Sequence, residues 1–308
     1  MKKVLVIISS KAGKSELEIK KEDILNAFEK NNVDYEIQIE ETLYKGHIEN
    51  LIDDFDKENI EDKNAIICGG DGSLNELVNA CYGKNIAVGL IPTGTGNDFA
   101  KNFDYSNFDV NNIFKFTKKP IDLIQINNKL CVNVTSLGFD THVLNGAYEI
   151  LNKDPSLGKR AYIYSVINSL KDINYENLEI NLKDLCGNII TIKGEYLISA
   201  LCNGSYYGSG FNPAPLAKIN DGHINLITAS KIPFYKLPNM IIKYKNGKHQ
   251  KSPYLNEYKT CEGVIKSNIS FLANIDGEIF KTDKIEFKVL KKAINWIYFN
   301  ENKVPRNL

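Results

Sequence analysis

The chain has no apolar run approaching the roughly 20 residues that cross a bilayer as a helix, which excludes a helical membrane span. Its start, Val4 to Ile8 behind Lys2 and Lys3, is too short and is followed by no cleavage-type site, so it reads as a first buried strand and not as an export signal. The cysteines, Cys68, Cys81, Cys131, Cys186, Cys202 and Cys261, form no CxxC pair and no regular spacing, and the 4 histidines are scattered. That argues against a zinc module or a disulfide framework and for reduced core residues in a cytoplasmic protein. An excess of either charge is also missing: 38 basic residues balance 38 acidic ones, which argues against a general nucleic-acid binder and leaves room for a local basic patch. There is no internal repeat, low-complexity segment or long linker. What is present is an ordinary globular composition, 43% hydrophobic and 25% charged, in 308 residues, enough for two domains with a core each.

The first third alternates. Strand signals at Val4 to Ile8, Tyr35 to Ile39, Ala65 to Cys68 and Ile86 to Ile91 are separated by amphipathic stretches at Ser15 to Asn31, His47 to Lys57 and Ser73 to Tyr82. This rhythm predicts βαβ units and a parallel sheet covered on both faces. Past Lys118-Lys119-Pro120 the pattern changes to strand-like runs: Leu123 to Ile126, Leu130 to Thr135, Leu178 to Leu182, Ile189 to Ile192, Tyr196 to Cys202, Ile224 to Thr228, Ile265 to Leu272, Ile285 to Val289 and Ala293 to Phe299. Glycine and asparagine turns between them predict an antiparallel second domain. Helical stretches interrupt it at His142 to Leu151, Ala161 to Leu170 and Pro233 to Lys245.

Two strand ends carry the chemistry. Ala65-Ile66-Ile67-Cys68 empties into Gly69-Gly70-Asp71-Gly72-Ser73-Leu74-Asn75-Glu76, a glycine turn followed by a helix that Ser73 is expected to open. Glycines let the main chain bring its N–H groups close to an anion, and the helix adds its positive end. Asp71 would repel a phosphate unless a cation lies between them or it faces a hydroxyl about to be phosphorylated, so the turn suggests Mg-nucleotide and phosphoryl transfer. By itself it is equally a tight turn. A second segment, Pro92-Thr93-Gly94-Thr95-Gly96-Asn97-Asp98-Phe99-Ala100, follows the next strand. Consecutive turns at the carboxyl edge of a parallel sheet face one crevice, where such folds bind ligands. Gly69, Gly70, Asp71, Gly72, Ser73, Leu74 and Asn75 are assigned to nucleotide phosphates, Thr95 offers a hydroxyl from the adjacent turn, and Ser9, Ser10, Lys11, Ala12 and Gly13 end the first strand at the same edge.

Together these segments resemble the diacylglycerol-kinase catalytic domain family, in particular its soluble bacterial lipid kinases of the YegS and diacylglycerol kinase B type. The GGDG(T/S)xNE and PxGTxNDFA motifs of that family are matched residue for residue. The resemblance covers nearly the whole chain and implies an α/β plus all-β protein. A Rossmann-like parallel α/β domain (1–120, with the tail from about 292 packing back on it) would precede an antiparallel β-sandwich domain (121–291), with the active-site cleft between them. It implies an ATP-dependent lipid kinase using Mg2+, acting on diacylglycerol or a related lipid at a membrane surface it visits transiently from the cytoplasm. A homodimer stays open.

The resemblance also implies roles for residues outside the two motifs. Thr42, preceding Gly46 at the family's spacing, would contact nucleotide. Ser9-Ser10 stands where the family usually has Asn-Pro. In Asn274-Ile275-Asp276-Gly277-Glu278, alternation along an extended chain would turn Asp276 and Glu278 to one side. The family's matching Asp-Gly-Glu carries its proton acceptor, assigned here to Glu278 with Asp276 beside it; on periodicity alone the segment is a hairpin with two solvated acids. Asp221-Gly222 is by default a hairpin corner, but the resemblance implies a structural Mg2+ held by the Asp221 carboxylate and the backbone oxygens of Lys218 and His223. Asn133 to Asp140 resembles the family's domain-junction segment, and Asn203, Gly204, Gly208 and Gly210 its acceptor-side loop, with Ser209 where a third glycine is common. Lys231 to Lys259 interleaves lysines with Phe234, Tyr235, Tyr244 and Tyr254, which suits either an anionic membrane surface or a solvated helix pair. Two rivals remain: an NAD kinase, which shares the Gly-Gly-Asp-Gly turn, and a nucleotide-binding regulator without turnover.

Overall fold

The computed structural model describes residues 2–10, 19–31, 35–105 and 108–299. In chain order the first half runs β1 (Lys2–Ile8), α1 (Lys21–Asn31), β2 (Glu36–Glu41), α2 (His47–Lys57), β3 (Asp62–Gly69), α3 (Asp71–Cys81) and β4 (Ile86–Pro92). These four strands are parallel, in the order β2-β1-β3-β4. The chain leaves β1 toward β2 and returns on its other side as β3, so the order reverses between β1 and β3. A crevice opens at the carboxyl ends of such a pair.

Alternation sorts the core. Leu5, Ile7, Ile67, Val88 and Leu90 face α2 and α3, while Val4, Val6, Ile66, Cys68 and Ile91 face α1 and Phe114. Burial on both faces explains why these strands read as continuous apolar runs.

The second half is built from β5 (Thr117–Ile126), β6 (Lys129–Cys131), β7 (Val134–Gly138), α4 (Phe139–Lys153), α5 (Lys159–Ser169), β8 (Glu176–Lys183), β9 (Ile189–Cys202), β10 (Ile224–Ser230), α6 (Leu237–Lys245), β11 (Leu255–Thr260), β12 (Glu262–Ile275) and β13 (Glu278–Tyr298). Apart from the contact of β13 with β4, its ladders are antiparallel. The architecture is therefore a parallel α/β layer joined to an antiparallel β domain.

Three expectations are corrected. The runs at Ile189 and Tyr196 are one strand, β9, and those at Ile285 and Ala293 are one strand, β13. A register shift between Leu290 and Ile294, with Lys292 at φ 51, is what broke β13 into two apparent pieces. The Lys292 N–H donates to Asp122, which fixes that bulge. Strand β11 lay hidden inside the lysine- and tyrosine-rich segment. The helix after the first glycine turn begins at Asp71, not Ser73.

Strand β13 ends inside the α/β layer: Trp296 pairs with Val88 of β4, stacks on Phe103 at 5.2 Å and meets Phe99 edge-on at 5.1 Å.

Candidate functional site

Between the two halves lies a cleft of about 1010 Å³, lined by both glycine loops, the β1 and β2 ends, the Asp276–Glu278 hairpin and the Tyr207–Ser209 loop. Of the sequence-predicted residues it gathers Ser9, Ser10, Thr42, Gly70, Asp71, Gly72, Ser73, Leu74, Asn75, Thr95, Asp276 and Glu278. Lys11, Ala12 and Gly13 lie outside the described residues. Gly69 is the last residue of β3, behind the lining. Lys218, Asp221 and His223 are not part of the cleft wall.

Its floor is two loops in direct backbone contact. A Cβ on Gly94 would sit 2.4 Å from the Gly70 Cα, so no side chain fits there. Helix α3 starts with Gly70 in extended conformation and no side-chain cap, leaving its first N–H groups for a ligand. The Asp71 carboxylate is turned away from those groups: it accepts the backbone N–H of Asp98 and of Phe99, each at 3.0 Å. It thus caps the short helical turn Phe99–Asn102 and ties the second loop to the first. Asn97 closes the second loop on itself, accepting from Gly94 N–H and donating to the Pro92 and Gly94 carbonyls.

Neighbouring side chains finish the bracing. Glu76 accepts the N–H groups of Gly46 and Ile48 at 3.0 and 3.3 Å, capping α2. Thr42 Oγ1 accepts Ser10 N–H at 3.0 Å, and Ser73 donates to Ser9 Oγ at 2.9 Å. Asp98, buried, pairs with Lys101 and accepts Ser209 N–H at 2.8 Å, which joins the second loop to the other domain. Burial pushes the Asp98 carboxyl above its usual value, against the pull of Lys101.

The hairpin overturns the alternation argument. Ile275 pairs with Glu278 across a two-residue turn, with Asp276 at φ 49 and Gly277 at φ 95, the left-handed pair that such a turn requires. The two acids therefore have different surroundings. Asp276 points inward and accepts Val132, Asn133 and Val134 N–H at 2.6, 3.0 and 3.0 Å, Asn75 Nδ2 at 2.8 Å and the Cys131 thiol at 3.3 Å. Burial raises its pKa, with those donors opposing. Glu278 is exposed at the rim, 3.6 Å from Lys45 and 3.9 Å from Lys129. The simple hairpin reading thus holds for the turn and for exposed Glu278, and fails for Asp276, which is buried. Tyr148 donates to the Gly277 carbonyl at 3.0 Å and steadies the turn.

A second space, about 80 Å³ and almost wholly apolar, lies between α4, α5, α6 and β9. Asp140, Tyr162 and Tyr207 line both it and the cleft, so they stand at the junction. Burial raises the pKa of Asp140, whose Oδ1 accepts Thr141 N–H at 2.9 Å. Sequence reading missed the roles of Lys45, Tyr148, Asp98 and Tyr162. Lys45, between Thr42 and Gly46, and Asp98, inside the second glycine segment, were the two with a positional signal.

At the Asp221 turn the carboxylate pairs with Lys259 at 3.2 Å and accepts His223 N–H at 3.1 Å. Asp122, fully buried, accepts Gly222 N–H at 2.6 Å. Among the described residues no cluster of three His, Cys, Asp or Glu side chains could hold a metal. One carboxylate and main-chain carbonyls would have to suffice there, in competition with the Lys259 ammonium. The cleft fits a hard cation better, since its lining offers carboxylates, hydroxyls and amides and no imidazole or thiol.

An α/β layer whose loops present free backbone N–H groups, facing acids on an antiparallel domain across a cleft, defines a two-domain protein with a polar interdomain cleft. Residues 3–126 match the diacylglycerol kinase catalytic domain and residues 133–298 match the YegS C-terminal NAD kinase beta sandwich-like domain. The chain belongs to this family of kinases. A Shewanella frigidimarina protein named "Probable lipid kinase YegS-like" is 29% identical over 240 residues, covering 75% of each chain. A Klebsiella pneumoniae protein of the same name is 25% identical over 291 residues, covering 92% of each. A solved structure from Bacillus anthracis str. Sterne shares the fold with TM-score 0.76 and 23% identity, over 98% of this chain and 99% of that one.

Proposed function

We propose that the protein is an ATP-dependent kinase that transfers the γ-phosphoryl group to a hydroxyl of diacylglycerol or a related lipid, working in the cytoplasm and at the membrane surface. The observation that carries the lipid part is the adjacency of a polar, phosphate-suited cleft and an apolar pocket that share Asp140, Tyr162 and Tyr207 in their walls. Since a cavity of about 150 Å³ holds a benzene, the pocket takes a few methylenes as it stands, and a longer chain requires α5 and α6 to part. We take residues 1–120 with the final strand segment as the nucleotide domain and 121–291 as the acceptor domain.

Phosphoryl transfer requires held phosphates, neutralised charge and an aligned hydroxyl. The uncapped N–H groups of Asp71, Gly72 and Ser73, with Thr95 opposite, hold the phosphates. The carboxylates of Asp71 and Glu278 would hold Mg2+, whose chemistry there would be to neutralise developing charge. Glu278 takes the acceptor proton, having lone pairs free of backbone donors, while Asp276 fixes the hairpin that aims it. Asp140 accepts a hydrogen bond from the acceptor hydroxyl region, and the apolar pocket holds the tail away from water. At Asp221, Mg2+ would replace the Lys259 ammonium with Lys218 and His223 carbonyls completing the set.

A labelled-ATP transfer assay over a lipid panel, with NAD included, tests this reading. Label on diacylglycerol or a related lipid, lost in Glu278→Gln, is the expected result. Label on NAD alone selects the NAD kinase, and nucleotide binding with no labelled product selects a regulator.

A further inference from the structure

The acceptor-side helices carry a surface that the chemistry above does not use. On α5, Tyr162, Val166 and Leu170 line the apolar pocket at successive turns, and one residue further round the exposed side chains are again apolar: Ile163 is 59% and Ile167 50% accessible. On α6, Leu237, Met240 and Tyr244 face the pocket while Ile242, on the outer side, is 61% accessible. The turn that leads into α6 presents Phe234 and Tyr235, 70% and 78% accessible. Two helices whose inner faces enclose an apolar pocket thus expose apolar outer edges around it, where a soluble surface would be polar.

The charge of this region is one-sided. From Lys231 to Asn256 there are six lysines, at 231, 236, 243, 245, 248 and 251, and no aspartate or glutamate. All six are exposed, and none is ion-paired with a described carboxylate, whereas 12 other lysines are. Lys236 instead lies over the Tyr235 and Tyr254 rings, and Lys245 over Phe211. Ring-backed lysines beside protruding aromatic and aliphatic side chains match an interface that is greasy just below a negatively charged plane.

We infer that the Phe234–Lys236 turn, the outer side of α6 and the Ile163–Ile167 edge of α5 form a docking surface for an anionic bilayer, placing the two helices that enclose the pocket against the lipid. This rests on the lipid-kinase reading for its purpose but not for its measurement. The full-length protein is sedimented with vesicles of phosphatidylcholine alone or mixed with phosphatidylglycerol. Binding to the mixed vesicles that falls with added salt, and falls about tenfold in Phe234→Ser/Tyr235→Ser and again in Lys243→Ala/Lys251→Ala, is expected, since each basic residue and buried ring contributes separately. Melting temperature and transfer to a water-soluble short-chain diacylglycerol stay unchanged in both variants. Equal vesicle binding by parent and variants overturns the inference, as does a parent dimer that the variants split while vesicles bind neither. Vesicle binding lost in the variants, with no lipid phosphorylated by the parent, keeps the docking surface and removes the kinase reading. Short-chain phosphorylation without vesicle binding does the reverse.

Discussion

The floor and the rim of the cleft are built on opposite principles. On the floor every acid is committed: Asp71 caps a turn, Glu76 caps a helix, Asp98 joins two loops and Asp276 gathers three backbone N–H groups. At the rim Glu278 is exposed and, among the described residues, is ion-paired only with Lys45 and Lys129, with no backbone donor on its carboxylate. Committed groups hold a shape without moving, and the free one is available to accept a proton. Preorganisation and reactivity are thus divided between residues two positions apart.

Substitution separates the two. Glu278→Gln should slow phosphoryl transfer by about 10²- to 10⁴-fold while leaving urea stability within about 0.5 kcal/mol; a full rate would move the proton acceptor elsewhere. Asp276→Ala should act the other way round, leaving buried donors unpaired at a cost of about 3 kcal/mol or more, seen as an early urea midpoint. An unchanged midpoint would make Asp276 dispensable to the floor.

Asp140, at the boundary, gives a pH test. Burial raises its pKa in the folded state, so its contribution to stability is full below the ordinary carboxylate value near about 3.9 and is lost as pH rises through the folded value. Asp140→Asn should therefore raise the melting temperature at neutral pH, with the gain shrinking on acidification, and should weaken lipid phosphorylation. A gain that is the same at every pH would separate the effect from ionisation. The smallest effect belongs to Asp221→Ala, outside both regions: a modest fall in melting temperature that widens when Mg2+ is present. Identical curves with and without Mg2+ would remove the structural ion.

Legibility followed the locality of the interactions. The glycine turns of the floor were readable because Gly70 and Gly94 act through backbone shape, whereas the tie from the Asp71 carboxylate to residues 98 and 99 was not, since its donors lie on another loop. The β1–β4 layer was readable because burial on both faces leaves long apolar runs. The fate of Asp276 was not, since its donors come from residues 132 to 134, some 140 positions away, and its turn cancels the alternation that extended chain would impose. Strand β13 was split because Lys292 breaks the period, for a reason held by distant Asp122. The helical faces of α5 and α6 were ambiguous for a different cause: apolar residues all round a helix look like core until it is known which side has a neighbour.

Strand β13 carries Glu278 at one end and Trp296, locked among Phe99 and Phe103, at the other. A change in the gap between the lobes would consequently have to bend this ribbon, whose irregularity at Lys292 is pinned by Asp122. The distance from the Glu278 carboxylate to the glycine loops is then tied to the stiffness of the paired strands β5 and β13, and not to the slack of a linker.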